Sequence, residues 1–182
     1  MNIIMKKAQI EESIKNIVYN ILRTNNNLDD TVLIGIRTGG AFLASRIKRY
    51  IKKLTNKELP LGILDITLYR DDWTKIAPAP IVRKTEIYFP VDNKTVILID
   101  DVLYTGRTVR ASIDAILDYG RPKKIKLAIL IDRGKSSREL PICADYIGKL
   151  IETSREETIN VYFEEQGNED MVTVERIQIG QE

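Results

Sequence analysis

Histidine is absent from the chain, cysteine occurs once, at Cys143, and tryptophan once, at Trp73. Without histidine the usual zinc sites and every Ser-His or Cys-His nucleophile pair are excluded, and a single cysteine forms no internal disulfide. Most hydrolase mechanisms go with them. Long apolar runs are missing too: Val32-Leu33-Ile34 and Val96-Ile97-Leu98-Ile99 last a few residues, against the roughly 20 that a membrane-crossing helix needs. The opening Met1-Asn2-Ile3-Ile4-Met5-Lys6-Lys7 lacks the order of a secretory signal, so a cytoplasmic protein with no membrane partner is expected. What is present is 182 residues, 43% hydrophobic and 30% charged, room for one globular domain with a real core.

Net charge is +2 but unevenly spread: Lys and Arg outnumber Asp and Glu 11 to 5 over residues 1–60, and are outnumbered 2 to 9 over residues 151–182. A basic front half suits nucleic acid and equally suits a solvated face, and charge alone does not choose.

Residues 10–23 place Ile10, Ile14, Ile17, Val18, Ile21 and Leu22 at helical spacing, ended by the Asn25-Asn26-Asn27 turn. Residues 32–36 form a short β-branched run, Arg37-Thr38-Gly39-Gly40 interrupts it, and residues 41–54 return to helical period. The same strand, loop and helix recur at residues 96–99, 100–108 and onward to Tyr119, where Gly120 and Pro122 close the helix. With further strands over 61–68 and 125–131, the alternation argues an α/β fold with a mostly parallel central sheet flanked by helices. Residues 69–90 hold three prolines and no clear period, which in a compact domain marks a lid or arm. After Asp132-Arg133-Gly134 the chain reads as irregular until two alternating segments, 158–163 and 171–177, which flank Gln166-Gly167-Asn168 as a hairpin.

In an open parallel sheet ligands bind beyond the carboxyl ends of the strands. The strongest segment there is Asp100-Asp101-Val102-Leu103-Tyr104-Thr105-Gly106-Arg107-Thr108. Ionised carboxylates accept hydrogen bonds and a ribose diol offers two. Four residues on, Thr105-Gly106-Arg107-Thr108 opens a helix whose free N–H groups and dipole favour a phosphate. Either feature alone is most simply a strand end or a helix cap; the composite spells a ribose 5-phosphate site. It is not a P-loop, because the Gly-x-x-x-x-Gly-Lys pattern is absent.

This composite resembles the 13-residue signature of the type I phosphoribosyltransferases. Asp65-Ile66-Thr67-Leu68-Tyr69-Arg70-Asp71-Asp72, Asp132-Arg133-Gly134, and Arg138-Glu139-Leu140-Pro141 with Ala144-Asp145-Tyr146-Ile147-Gly148-Lys149 resemble, in colinear order, the PyrR family of pyrimidine-operon attenuation regulators that are also uracil phosphoribosyltransferases. The resemblance implies a single domain over residues 1–182, with a flexible lid at about 69–90 and a small hood at about 132–182. It implies phosphoribosyl pyrophosphate, uracil and UMP or UTP as ligands, with Mg²⁺ chelated mainly by the pyrophosphate and ribose hydroxyls. Asp100 and Asp101 would hold the diol; Tyr104, Thr105, Gly106, Arg107 and Thr108 would surround the 5-phosphate; Arg37, Thr38 and Gly39 would form the pyrophosphate loop. Arg37 and Arg70 would share the catalytic work with the two aspartates, and no protein ligand to the metal is expected. The family usually carries Lys-Thr-Arg-Gly where this chain has Arg37-Thr38-Gly39-Gly40, one cation fewer. Asp132, Arg133, Gly134 and Ile147 would surround the base. Many purine-using relatives have an aspartate in place of Tyr104, so the tyrosine points to a pyrimidine.

The resemblance also implies a homodimer or higher assembly and, in members that attenuate transcription, a messenger stem-loop as partner. Here Glu11, Glu12, Asn16, Tyr19 and Cys143 replace residues of the family's RNA surface, while Lys15, Lys135, Arg138 and Lys149 remain for RNA. Three readings stand open: a uracil phosphoribosyltransferase, a non-catalytic RNA-binding regulator, and a purine phosphoribosyltransferase.

Overall fold

The short apolar runs become strands because each can be buried on both faces. The computed structural model describes residues 2–25, 27–69 and 84–177; Arg70 and most of the segment read as a lid lie outside them. Strand β1 is Asn2–Lys6, helix α1 Lys7–Thr24, β2 Thr31–Ile36, α2 Gly39–Thr55, β3 Leu61–Leu64, β4 Thr95–Leu103, α3 Arg107–Leu117, β5 Lys124–Asp132, β6 Tyr146–Leu150, β7 Glu157–Tyr162 and β8 Met171–Arg176.

Five strands form one sheet in the order β3-β2-β4-β5-β6, every neighbouring pair parallel. Alternate residues feed two cores. Leu33, Ile97, Ile99, Ala128 and Leu130 pack with Ile10, Ile14, Ile17 and Ile21 of α1 and with Leu43, Ile47 and Ile51 of α2. Val32, Ile34, Val96, Leu98 and Ile129 pack with Val109, Ala111, Ala115 and Ile116 of α3. The connection from β2 through α2 steps outward to β3, whereas β4 steps through α3 the opposite way to β5. Right-handed crossovers then put α2 and α3 on opposite faces.

The hairpin expected near the C-terminus forms as β7 and β8, paired antiparallel. Its other neighbour is β1, giving a small antiparallel sheet ordered β1-β8-β7. Neither β1 nor the parallel edge strand β6 is predicted by the sequence reading. β1 has five residues with one, Met5, fully buried, and β6 contains Gly148 in a stretch without alternation. The strand read over 61–68 ends at Leu64, because Asp65 accepts hydrogen bonds from the Thr67 amide (2.9 Å) and hydroxyl (2.6 Å) and turns the chain.

The small sheet is fastened to α2 by a buried cation. Arg46, 6% exposed, donates through both terminal nitrogens to Asp170 (2.5 and 2.8 Å) and through Nε and Nη2 to Glu165 (2.9 and 2.6 Å). Its guanidinium also lies 4.8 Å from the ring centroid of the buried Phe163. Removing one partner of a buried pair strands the other, which costs about 3 kcal/mol or more. Asp170→Asn is therefore expected to lower the urea-unfolding free energy by about 3 kcal/mol, and Glu165→Gln, on the more exposed side, by less than about 1 kcal/mol. Equal losses would mean that the fork to Asp170 is not the fastening.

Candidate active site

Because the connections after β2 and β4 leave in opposite directions, a crevice opens between the carboxyl ends of these neighbouring strands. Residues Arg37, Thr38 and Gly39 follow β2 on one side of it, and Asp100 and Asp101 lie near the end of β4 on the other. The two sides touch. A Cβ at Gly39 would fall 2.0 Å from Oδ2 of Asp101, and one at Gly40 would fall 2.4 Å from the carbonyl oxygen of Ile99. Two glycines are what allow the loop to approach the strand this closely, so the residue that replaces the family's arginine is fitted to its surroundings. The Arg37–Thr38 peptide is cis.

The sequence reading ends the strand at Ile99. In the fold β4 runs on through Asp100 and Asp101 to Leu103, paired with β5 as far as Asp132. The carboxylates are thereby drawn into the sheet. Asp100 is 7% exposed; its Oδ1 accepts from the Asp101 amide (3.0 Å), and Oδ1 of Asp101 accepts from the Val102 amide (2.9 Å). Burial, reinforced by the neighbouring Asp101 charge, holds the Asp100 carboxyl well above the usual carboxylate range. Burial raises Asp101 as well, against the hydrogen bonds it receives from Asp100 and Val102. Among the described residues no cationic group counters either of them.

Beyond Leu103 the chain turns through Tyr104 and Thr105 to Gly106, whose φ of 92° is the left-handed conformation that suits glycine, and α3 begins at Arg107. Residues 102–109 and Glu139 line a cleft of about 310 Å³. The first-turn N–H groups of α3 have no intrahelical partners and Gly106 brings no capping side chain, but the Arg107 amide donates to Oγ1 of Thr105 (3.4 Å). Arg107 reaches from this loop to Glu139, Nε to Oε2 at 2.7 Å, a partner that the sequence reading does not single out.

The third strand end joins this loop from the side. Oδ1 of Asp132 accepts from the Gly134 amide (2.8 Å) and from Nη2 of Arg138. Arg138 also donates to the carbonyl oxygens of Leu103 (3.1 Å), Tyr104 and Ile142 (3.2 Å). With its side chain only 10% exposed, Arg138 is spent inside the fold and offers no guanidinium to an RNA phosphate. Lys15, Lys135 and Lys149 are exposed, on α1, on the helical turn Lys135–Ser137 and on β6. Ile147 pairs with Ile129 on the edge strand, three residues below Asp132, or about 10 Å along a strand, so it is not brought to the crevice. Arg37 turns toward the chain that returns from the undescribed segment: Nη2 donates to the Lys84 carbonyl (3.0 Å) and to Oε1 of Glu86 (3.3 Å). Glu86, Glu139 and the inward turn of Arg138 escape the sequence reading because each depends on a contact between segments far apart in the chain.

Two adjacent carboxyls with raised pKa and, among the described residues, no countering cation make the protein's stability depend on pH in a set direction. A carboxyl whose folded pKa lies above its unfolded one stabilises the fold at low pH, and that contribution is lost as pH rises through the folded value. Asp100→Asn should therefore raise Tm at pH 8, by about 2–4 °C for a gain near 1 kcal/mol, and the gain should shrink toward pH 4. Thermal melts at pH 4, 6 and 8 check this; an unchanged Tm at pH 8 would mean that the pair is already relieved of its charge.

A family profile described as "Phosphoribosyl transferase domain" matches residues 2–166. The chain is 51% identical over 154 residues to "Bifunctional protein PyrR" of Desulfosudis oleivorans, covering 85% of this chain and 84% of that one. It is 50% identical over 171 residues to the protein of the same name from Clostridioides difficile, covering 94% and 96%. Among solved structures it superposes on the hypoxanthine phosphoribosyltransferase of Trypanosoma cruzi with a TM-score of 0.72 at 17% identity, covering 97% of each chain. A hypoxanthine phosphoribosyltransferase of Staphylococcus aureus gives 0.70 at 18% identity, covering 94% of this chain and 90% of that one; at such identities the likeness is one of fold. The fold is that of the type I phosphoribosyltransferases, and the chain belongs to the phosphoribosyltransferase family and, within it, to the PyrR proteins.

Proposed function

We propose that the chain transfers the 5-phosphoribosyl group of phosphoribosyl pyrophosphate to N1 of uracil, yielding UMP and pyrophosphate. The observation that supports this reading is the meeting of three features at the carboxyl ends of β2 and β4: an adjacent carboxylate pair with no countering cation among the described residues, a glycine loop packed against it, and a helix entry behind Gly106. In the reaction the C1–oxygen bond to pyrophosphate breaks, the C1–N1 bond forms, and N1 gives up its proton to the departing pyrophosphate or to water. Asp100 and Asp101 accept the 2′- and 3′-hydroxyls. Thr105, Gly106, Arg107 and Thr108 hold the 5-phosphate, with Tyr104 beside them, and Arg37, Thr38 and Gly39 take the pyrophosphate. Arg70 is the further cation of this reading. The chain has no histidine to move a proton, so its residues act by placement and by electrostatics toward a sugar that gains positive charge as the bond breaks.

The residues fit a divalent cation held chiefly by the substrate. Two adjacent carboxylates, Asp100 and Asp101, are hard oxygen donors of the kind such a cation takes. Mg²⁺, when bound with phosphoribosyl pyrophosphate, would supply charge neutralisation for the departing pyrophosphate. The reading places the protein in the cytoplasm as a homodimer or larger homo-oligomer; among the described residues no helix is long and apolar enough to cross a membrane.

A second activity, binding of a pyrimidine messenger leader in response to UMP or UTP, is favoured by the word "bifunctional" in the relatives' name and by exposed Lys15, Lys135 and Lys149. If these lysines touch phosphates, each Lys→Ala change should lower the slope of log affinity against log salt by about one.

The primary test is pyrophosphate release from phosphoribosyl pyrophosphate and Mg²⁺ with uracil, hypoxanthine, guanine or adenine. Uracil alone should support turnover, and Asp101→Asn should lower kcat by about 10² or more. The KM for phosphoribosyl pyrophosphate should fall as pH rises from mildly acidic values, because the raised carboxyls must lose their protons to accept the diol. Turnover with a purine would move the chain to the purine enzymes, and UMP binding without turnover would leave the regulator.

A further inference from the structure

We propose that Arg133 is a positioning residue for the base: it touches no substrate but fixes the ring of Tyr104, and this fixed ring is what admits uracil. The inference rests on the transferase reading and deepens it.

Arg133 is 3% exposed and forms no ion pair among the described residues, unlike Arg46, which is buried between two carboxylates. Its guanidinium is held along its edge instead. Nε donates to Oγ1 of Thr153 (2.6 Å), and Nη2 donates to the carbonyl oxygens of Ser154 (2.8 Å) and Glu157 (2.7 Å). Its own backbone amide donates to the carbonyl of Leu103 (3.0 Å). In-plane hydrogen bonds leave the faces of a guanidinium available, and Cζ lies 3.8 Å from the centroid of the Tyr104 ring. A buried cation hydrogen-bonded only to carbonyls and one hydroxyl among the described residues, with the Glu157 charge as a lesser compensation than the burial cost, costs free energy that a neutral side chain would not. Its distinctive contact is the ring.

That ring belongs to a residue lining the cleft of the ribose-phosphate loop. Arg138 donates to the carbonyls of Leu103 and Tyr104, so the backbone of Tyr104 is held by one arginine and its ring by another. The site thereby acquires a platform of fixed plane beside the sugar, suited to a flat single-ring base. Lysine does not replace arginine here: a point charge on a flexible stem neither forks to Thr153 and Ser154 nor stacks with a defined plane.

The experiment uses the full chain. Arg133→Lys is expected to raise the KM for uracil about tenfold while moving the KM for phosphoribosyl pyrophosphate less than about twofold. Made in a Tyr104→Leu background, the same change should move the uracil KM less than about twofold, because the ring through which Arg133 acts is gone. In a Tyr104→Phe background, which keeps the ring, the tenfold effect should persist. Thermal melts of all variants separate loss of fold from loss of positioning. The proposal is overturned if the two KM values rise together, or if the Arg133→Lys effect is as large with Leu at position 104 as with Tyr. Should the wild type turn over no base, the transferase reading fails first, and the same cycle read in UMP affinity by calorimetry decides the role of Arg133.

Discussion

Everything at the crevice depends on two adjacent carboxylates, one buried and one partly buried, held in the sheet with no countering cation among the described residues. Asp100 and Asp101 extend a strand that pairs with β5 along its length, so they cannot swing out to solvent without breaking the sheet. The glycine loop after β2 closes over Asp101 so tightly that even a methyl group would collide with it. Such a pair destabilises the free protein. The surplus that tolerates it comes from two apolar cores, one on each face of the parallel sheet. The free-energy cost falls due in the empty site and is relieved by a ligand that brings hydroxyl donors or a cation, which is the behaviour expected of a binding site rather than a structural ion pair.

Much of this was legible along the chain. The runs at residues 32–36, 96–99 and 125–131 became β2, β4 and β5, and the helices between them lie within a few residues of their expected places. Their local periodicity agrees with their tertiary burial, so nothing had to override it. The switch in connection direction put the segments singled out as ligand loops at one crevice. What stayed hidden is non-local. β1 acquires its pairing from β8, at the other end of the chain, and β6 becomes a strand because β5 offers it an edge. Neither carries enough pattern of its own to be seen.

Arginines show the same limit at the level of side chains. A sequence reading assigns an arginine near a phosphate signature to an anion, because that is the partner it can infer. In the fold Arg46 fastens the small antiparallel sheet to α2, Arg138 laces the end of β4 to the end of β5, and Arg37 rests on Glu86. Each guanidinium satisfies more than one acceptor brought to it from a segment distant in the chain, which lysine could not do in one plane. The basic character of the chain is thus partly structural, and a count of Lys and Arg overstates the charge left for nucleic acid.

The absence of histidine acquires its meaning from this arrangement. A site built on proton transfer places a group whose pKa sits near the working pH within reach of the proton. Here the displaced groups are the carboxyls near the end of β4, whereas the loop beyond them presents an aromatic ring stacked on a buried arginine. The two sides perform separate work. On the proposed transferase reading, negative charge faces the position where a sugar turns cationic, a helix terminus faces its 5-phosphate, and the Tyr104 ring faces the incoming base. On that reading selectivity and rate enhancement reside in different residues, so a change at the ring is expected to alter which base enters without touching the carboxylates assigned to the sugar.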